Sequence, residues 1–233
     1  NDGISGRANY VWNEIRNSTS IGKFGWKANQ PSLRQQVADA FVGDMGLTSS
    51  IFGNQNCPPG QDDCNNYPNG GIPEVIDSQL DDVVFYQSAL AVPKRRKFME
   101  QNVLEGKVLF NESDCVKCHA KNFTTGTSSE NSHVEGIVIH PFSDFLLHDM
   151  GEALADNRPD FLANGNEWRT QALWGIGLIA TVNNHTNLLH DGRARNIEEA
   201  ILWHGGEAEN SKQKFMNLSE NDRNKVLEYI NSL

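Results

Sequence analysis

The sequence has no long apolar segment and little basic charge. No run approaches the roughly 18 consecutive apolar residues of a membrane helix, so no membrane span is expected. Lysine and arginine number 20 against 30 aspartates and glutamates, a formal net charge of −10. An acidic chain repels phosphate backbones, so nucleic acid is not an expected partner. No basic-then-apolar leader opens the chain, which predicts either a mature protein or a piece of a longer one.

Cysteine is also scarce, with four in the chain. Cys57 and Cys64 flank a loop rich in proline and glycine that has no helical or strand period, which predicts a disulfide and an oxidising compartment. A zinc site built from this pair would need a second pair of ligands. Side-chain oxygens in or next to this loop could bind calcium; they belong to Asp62, Asp63, Asn65 and Asn66. This prediction is weaker because their spacing is not that of an EF-hand.

Helical patterns dominate the chain, and strand signals are few. The first helix is predicted from Pro31 to Gly46, where apolar residues recur on one face. Residues 1–30 read as irregular, 136–140 as a short strand, and the polar stretches between helices as long loops. Further helical segments are predicted at 73–91, 97–110, 168–176, 196–204 and 219–232. The sequence therefore predicts a mainly α fold with long loops and little β structure.

The remaining cysteines form the motif Cys115-Val116-Lys117-Cys118-His119, the attachment sequence of a c-type haem. Residues three apart on a helical turn lie side by side, so both thiols can reach the two vinyl groups at one porphyrin edge. His119, next in sequence, can place a nitrogen on the iron. A zinc half-site would lack a second ligand pair, and a thioredoxin-like dithiol would need a βαβ context that the sequence does not contain. One covalent haem c is therefore predicted.

The segments around this motif resemble a cytochrome c. Gly106 to Phe110 leads into the cysteines, and Val226 to Ile230 resembles the terminal helix that packs on that lead-in helix. We therefore divide the chain into an N-terminal irregular and helical segment, 1–96, and a cytochrome c-like haem domain, 97–233, on which it packs.

Three longer segments carry a more specific resemblance. Residues 140–151 (HPFSDFLLHDMG), 167–177 (EWRTQALWGIG) and 188–208 (LLHDGRARNIEEAILWHGGEA) resemble the bacterial di-haem oxidoreductases, described as peroxidases or thiol oxidoreductases and related to the di-haem cytochrome c peroxidases. The resemblance covers nearly the whole chain. Nothing in the residues supports the thiol-oxidoreductase description by itself.

The resemblance implies a place for this chain within a larger protein. The family has two haem domains, whereas this sequence has one Cys-X-X-Cys-His motif and resembles the C-terminal portion, so an N-terminal haem domain is missing. In the related peroxidases the C-terminal haem accepts electrons and the N-terminal haem meets peroxide. This chain is then expected to be a periplasmic electron-transfer domain, inactive as an enzyme alone, with a small redox protein as donor. The alternative is a haem-dependent binding or sensor module without turnover.

The resemblance also implies a second iron ligand. In the related peroxidases a His-Asp-Gly turn precedes a short helix that ends at the axial ligand. Here that turn is His190-Asp191-Gly192, and the ligand position falls on His204. Met150, in a turn bounded by Gly151, is the alternative ligand.

Arginines and tryptophans complete the predicted haem site. Arg169 and Arg193 are candidates for the haem propionates, because a guanidinium binds carboxylates in a bidentate manner. Arg195 is expected to form a surface ion pair instead. The predicted walls of the haem pocket are tryptophans, namely Trp168, Trp174 and Trp203.

Overall fold

The computed structural model describes residues 2–127 and 131–233, apart from the side chains of Asp62 and Asn65. Helix accounts for 38% of the chain and strand for 11%, which confirms a mainly α protein with little β structure. Within the described residues, no helix has the length and apolar character that a membrane crossing requires. The finer prediction of a cytochrome c-like arrangement stays a prediction.

The described residues contain seven α-helices and three small antiparallel sheets. The helices are α1 (Leu33–Met45), α2 (Asp77–Ser88), α3 (Gln101–Glu112), α4 (Ile179–Asn183), α5 (Ile197–Trp203), α6 (Glu209–Met216) and α7 (Glu220–Asn231). The strand pairs are β1 (Tyr10–Asn13) with β2 (Ser18–Ile21), β3 (Phe123–Thr124) with β4 (Val138–Ile139), and β5 (Leu147–Asp149) with β6 (Glu167–Arg169). The loop disulfide between Cys57 and Cys64 is formed, as predicted.

Most predicted helices are present, but the helix predicted at 168–176 is absent. Helices α1, α2, α3, α5 and α7 lie where the apolar periodicity placed them, and β4 lies within 136–140. Residues 168–176 are not helical: they start in β6, which pairs with β5, and continue as a loop towards a 3₁₀ turn at Ile176–Leu178. Residues 1–30 contain the β1–β2 hairpin, and α6 was missed because its sequence is almost entirely polar.

Helices α3 and α7 form the main core. Val103 and Phe110 of α3 pack with Val226, Tyr229 and Ile230 of α7, all almost completely buried. The two backbones approach closely at one glycine. A Cβ added to Gly106 would lie 1.9 Å from the carbonyl oxygen of Lys225, so no other residue fits at this crossing without moving a helix. This contact holds α3 in the orientation from which the Cys115 turn emerges.

Helices α1 and α2 form a separate apolar cluster around Val37, Leu80 and Val84. The N-terminal residues contact the rest of the chain through ion pairs and through a small apolar cluster of Ala28, Leu147 and Ala163. Arg7 pairs with Glu167 at 2.5 Å, and Lys27 with Asp156 at 2.7 Å. The boundary between residues 96 and 97 stays a prediction.

Candidate haem site

The two cysteines and the histidine of the motif share one tight turn. It starts at Asp114, whose backbone is left-handed with φ 63°. The Cys118 N–H and the His119 N–H both donate to the carbonyl oxygen of Cys115, the latter at 2.9 Å. Both thiols are half-buried and neither is in a disulfide. Burial raises the pKa of the Cys115 thiol to about 12, so it stays protonated at neutral pH.

His119 is oriented by the backbone of the segment opposite the turn. Its Nδ1 donates to the carbonyl oxygen of Phe142 at 2.8 Å, which leaves Nε2 as the unprotonated nitrogen. Burial is the main reason that the pKa of His119 is lowered to about 4; the hydrogen bond with Phe142 opposes this shift, and the proximity of His204 adds to it. The ring is therefore neutral near pH 7 and has a lone pair on Nε2, the state that a metal ligand requires.

His204 has the same arrangement at the end of α5. Its Nδ1 donates to the carbonyl oxygen of Ala200 at 2.7 Å, so Nε2 again carries the lone pair. Burial lowers its pKa. A positive charge on His204 would disfavour protonation of His119, so the two imidazoles lie near enough to interact electrostatically. The structure thus brings together two neutral histidines, each held through Nδ1 by a backbone carbonyl.

Met150 lies close to the segment that follows His204. A Cβ added to Gly205 would meet the carbonyl oxygen of Met150 at 2.9 Å. The two predicted alternatives for the second ligand therefore belong to neighbouring segments, and the choice between them stays a prediction.

A buried histidine that the sequence analysis left without a role links the two sides of the site. His148 is 2% exposed, with Nε2 2.9 Å from Asp144 Oδ2 and Nδ1 2.7 Å from Glu207 Oε2. Burial opposes its charge, but hydrogen bonds with Asp144, Cys118 and Glu207 raise the pKa of His148 to about 11. Both ring nitrogens therefore carry protons, and His148 is an imidazolium between two carboxylates.

The partners of His148 come from opposite ends of the predicted haem site. The Asp144 N–H donates to the carbonyl oxygen of Cys118 at 2.8 Å, whereas Glu207 lies three residues after His204. Ser5 secures Glu207 further, since its hydroxyl donates to Oε1 at 2.6 Å. We call Asp144, His148 and Glu207 the carboxylate clamp. It ties the cysteine turn to the segment that carries His204.

One group of potential metal ligands coincides with this clamp. Ligand atoms of Cys118, Asp144 and His148 lie within 4.8 Å of one another, the single such group in the described part of the chain. Both nitrogens of His148 already face carboxylates, so this cluster is a hydrogen-bond network rather than a metal site. The calcium prediction at the Cys57 loop depends partly on the side chains of Asp62 and Asn65, which lie outside the described residues.

The structure distinguishes the predicted arginines. Arg169 donates from Nε to the Gly25 carbonyl oxygen at 2.8 Å and from Nη2 to Gln171 Oε1 at 2.7 Å. Burial lowers its pKa, and no carboxylate among residues 2–127 and 131–233 pairs with it. This half-buried charge is suited to an anionic group such as a propionate.

The other two arginines already have carboxylate partners. Arg193 contacts Asp191 through Nε and Nη2, both at 2.6 Å, and its guanidinium carbon lies 4.9 Å from the Trp203 ring centroid. Arg195 pairs with Glu199 at 2.8 Å on the surface, the kind of contact expected for it.

Apolar side chains around the cysteines are only half-buried. Those packed on the same main core as Cys115 include Val116, Leu173, Ile176, Ile197 and Ile201. Trp174 and Trp203 are half-buried as well, and Trp168 stacks on His190 at 3.6 Å. Incompletely covered apolar surface next to two free thiols and two neutral imidazoles fits a porphyrin, so the residues present are compatible with haem.

Comparison with known proteins identifies the family. The sequence model of the family described as "Di-haem oxidoreductase, putative peroxidase" matches residues 1–233. The chain belongs to this di-haem oxidoreductase family. Neither the search of curated proteins nor that of solved structures found a match. Membership establishes haem as the cofactor class and oxidoreduction as the reaction class.

Sequence reasoning missed the groups that orient the site in this di-haem oxidoreductase. The Phe142 carbonyl, which holds His119, has no side-chain signature. His148 lies in the motif His148-Asp149-Met150, in which the methionine is the residue that indicates an iron ligand, because methionine binds iron in other haem proteins. The only available signal was the presence of three acidic or basic residues, Asp144, His148 and Asp149, in an otherwise apolar segment.

Proposed function

We propose that this chain is the electron-relay domain of a di-haem oxidoreductase and carries one covalent haem c. The observation that supports this most directly is the pair of neutral imidazoles, His119 and His204, whose Nδ1 atoms are occupied by backbone carbonyls. Paired axial ligands of fixed orientation are typical of a haem that transfers electrons rather than binds a substrate.

Each residue of the site has a distinct task in this proposal. Cys115 and Cys118 would hold the haem through thioethers, and His119 and His204 would bind its iron, with Met150 as the alternative to His204. When bound, the haem supplies reversible one-electron oxidation and reduction. Burial lowers the pKa of both imidazoles and favours their neutral form, in which Nε2 carries a lone pair. Arg169 provides positive charge for a propionate.

The peroxidatic chemistry then belongs to another haem. Peroxide reduction needs an open iron position, which two axial side chains would close. The family is di-haem, and this chain has one Cys-X-X-Cys-His motif, so we assign it as the C-terminal haem domain and the open site to an N-terminal haem domain.

The disulfide between Cys57 and Cys64 favours the periplasm. The net charge of −10 favours a small, basic redox protein as electron donor.

Optical and magnetic spectra of the haem-loaded protein test the ligand assignment. His204→Ala should change the iron from six-coordinate low-spin to five-coordinate or water-ligated high-spin, because Nε2 is lost. Met150→Leu should leave the spectra unchanged, and Met216→Leu on α6 is the matched control. A near-infrared charge-transfer band typical of a methionine–iron bond in the ferric wild-type protein would contradict the assignment of His204.

Rapid electron exchange tests the relay itself. Mixed with a reduced small cytochrome, the haem-loaded chain should be reduced quickly and reversibly, and it should turn over hydrogen peroxide only slowly. A version extended to include the second haem domain should be much faster with peroxide. Equal peroxide rates for the two proteins would place the active site on this haem. Slow electron exchange together with absent turnover would favour a sensor module.

A further inference from the structure

A cavity of about 320 Å³ lies apart from the cysteine turn and from His119 and His204, and of the predicted haem-site residues only Trp168 borders it. It is bordered by the loop at 25–30, by α1, by the loop at 156–160, and by the stacked pair of Trp168 and His190. We call it the Gln30 cavity. None of its polar groups is used in the proposed electron transfer, so its ligand can be argued independently of the haem.

Gln30 is the most informative side chain of this cavity. It is 8% exposed, and its Nε2 donates to Asp39 Oδ2 at 2.9 Å. Its Oε1 is buried and accepts no hydrogen bond from the described residues. A buried acceptor without a donor costs about 1–3 kcal/mol, so this oxygen favours a ligand that donates a hydrogen bond.

The charges of the lining residues favour a cation. Three carboxylates (Asp39, Asp156 and Asp160) face two basic groups (Lys27 and Arg158), so the cavity has a formal charge of −1. Lys27 is already engaged, with its Nζ 2.7 Å from Asp156 and 2.6 Å from the carbonyl oxygen of Arg158. In the described part of the chain, neither Asp39 nor Asp160 is in a salt bridge. Burial raises the pKa of Asp39, and the neighbouring carboxylates of Asp44 and Asp160 raise it further, whereas the hydrogen bond with Gln30 opposes the shift.

The geometry excludes a preformed metal site here. No three histidine, aspartate or glutamate ligand atoms of this cavity lie within 4.8 Å of one another in the described structure. The volume also greatly exceeds that of a bare ion. Trp26, which is 50% exposed, gives the cavity an aromatic wall, and aromatic faces attract organic ammonium groups.

We propose that the Gln30 cavity binds a small organic cation, whose ammonium group donates to Gln30 Oε1 and to the carboxylate of Asp39. Asp160 adds attraction at longer range, and Trp26 covers the apolar part of the ligand. The site requires both a positive charge and a hydrogen-bond donor. A neutral molecule of the same size should therefore bind far more weakly.

Calorimetric titration of the haem-loaded protein at constant ionic strength tests this proposal. The probes are n-propylammonium and propan-1-ol, which have the same number of heavy atoms and differ in charge. We expect saturable binding of the ammonium and about tenfold weaker binding or none for the alcohol. Asp39→Asn and Asp160→Asn should each weaken ammonium binding by about threefold to tenfold. Asp82→Asn, on the exposed surface of α2 and outside the cavity lining, is the matched control and should change it less than twofold.

Several outcomes would overturn the proposal. These are absence of ammonium binding, equal binding of the two probes, or equal effects of the Asp39→Asn and Asp82→Asn variants. Tighter binding of Ca²⁺ than of the ammonium, abolished by Asp39→Asn, would mean that the cavity is a metal site. Unchanged haem absorbance and circular dichroism in each variant verify that the fold is intact. Gln30→Glu is a second test variant, and it should strengthen ammonium binding.

Discussion

Replacing His148 with glutamine should destabilise the protein and loosen the predicted haem site. The imidazolium is 2% exposed and contacts a carboxylate with each ring nitrogen. Glutamine is neutral, and its one amide nitrogen replaces two ring nitrogens that face different carboxylates. Asp144 or Glu207 would then be left as a largely buried charge without its counter-ion.

The expected cost is about 3 kcal/mol of unfolding free energy, the lower end of the range for breaking a buried ion pair. We choose the lower end because the side chains of Asp144 and Glu207 retain 14% and 13% exposure, which lets water solvate them in part. For a chain of this length, that corresponds to a fall in Tm of about 6–12 °C.

The effect should depend on pH in a defined direction. The pKa of His148 is raised from 6.5 to about 11, so its contribution is complete below pH 6.5 and is lost as pH rises through about 11. Burial raises the pKa of Glu207, but hydrogen bonds with Ser5 and His148 outweigh it, so the net pKa is below 4.5 and its contribution disappears in acid. The difference between wild type and His148→Gln should therefore be largest between pH 4.5 and 6.5.

Urea unfolding followed by tryptophan fluorescence measures this difference. His140→Gln is the matched control, since His140 is exposed and the substitution should change the unfolding free energy by less than about 0.5 kcal/mol. A loss below about 1 kcal/mol for His148→Gln, or a loss independent of pH, would refute the clamp as a buried ion network. A further loss on adding Glu207→Gln would contradict the assigned pairing, because the two substitutions should be strongly non-additive.

Two further predictions concern the scaffold. Gly106→Ala should lower the unfolding free energy by about 1–3 kcal/mol, because the added Cβ would collide with the carbonyl oxygen of Lys225. Gly43→Ala on α1 is the control: its Cβ meets nothing within 4 Å, so the substitution should be neutral or stabilising. Chemical denaturation of both variants measures this difference. Cys57 and Cys64 should resist alkylation until the protein is reduced, and their joint replacement by serine should cost about 2 kcal/mol through the looser unfolded chain, measured by the same denaturation. Alkylation of the unreduced protein, or equal stabilities of the two glycine variants, would contradict these assignments.

The sequence by itself determined the parts of this protein that depend on short spacing. The turn from Cys115 to His119 is a local structure, since its hydrogen bonds return to the Cys115 carbonyl oxygen. The Cys57–Cys64 disulfide spans seven positions, and the amphipathic pattern of α7 placed its helix correctly. Such features are encoded in neighbouring residues, whose periodicity and turn chemistry can be recognised without knowing the fold.

Only the tertiary structure decided which groups orient the site. His119 is held by a carbonyl 23 residues away, and His148 pairs with a carboxylate 59 residues away. The helix predicted at 168–176 is replaced by β6 because Glu167–Arg169 finds a pairing partner in β5, about twenty residues earlier in the chain. Long-range partners of this kind leave no periodic mark in a single sequence, since any carbonyl or acidic side chain could serve and the folded chain selects one.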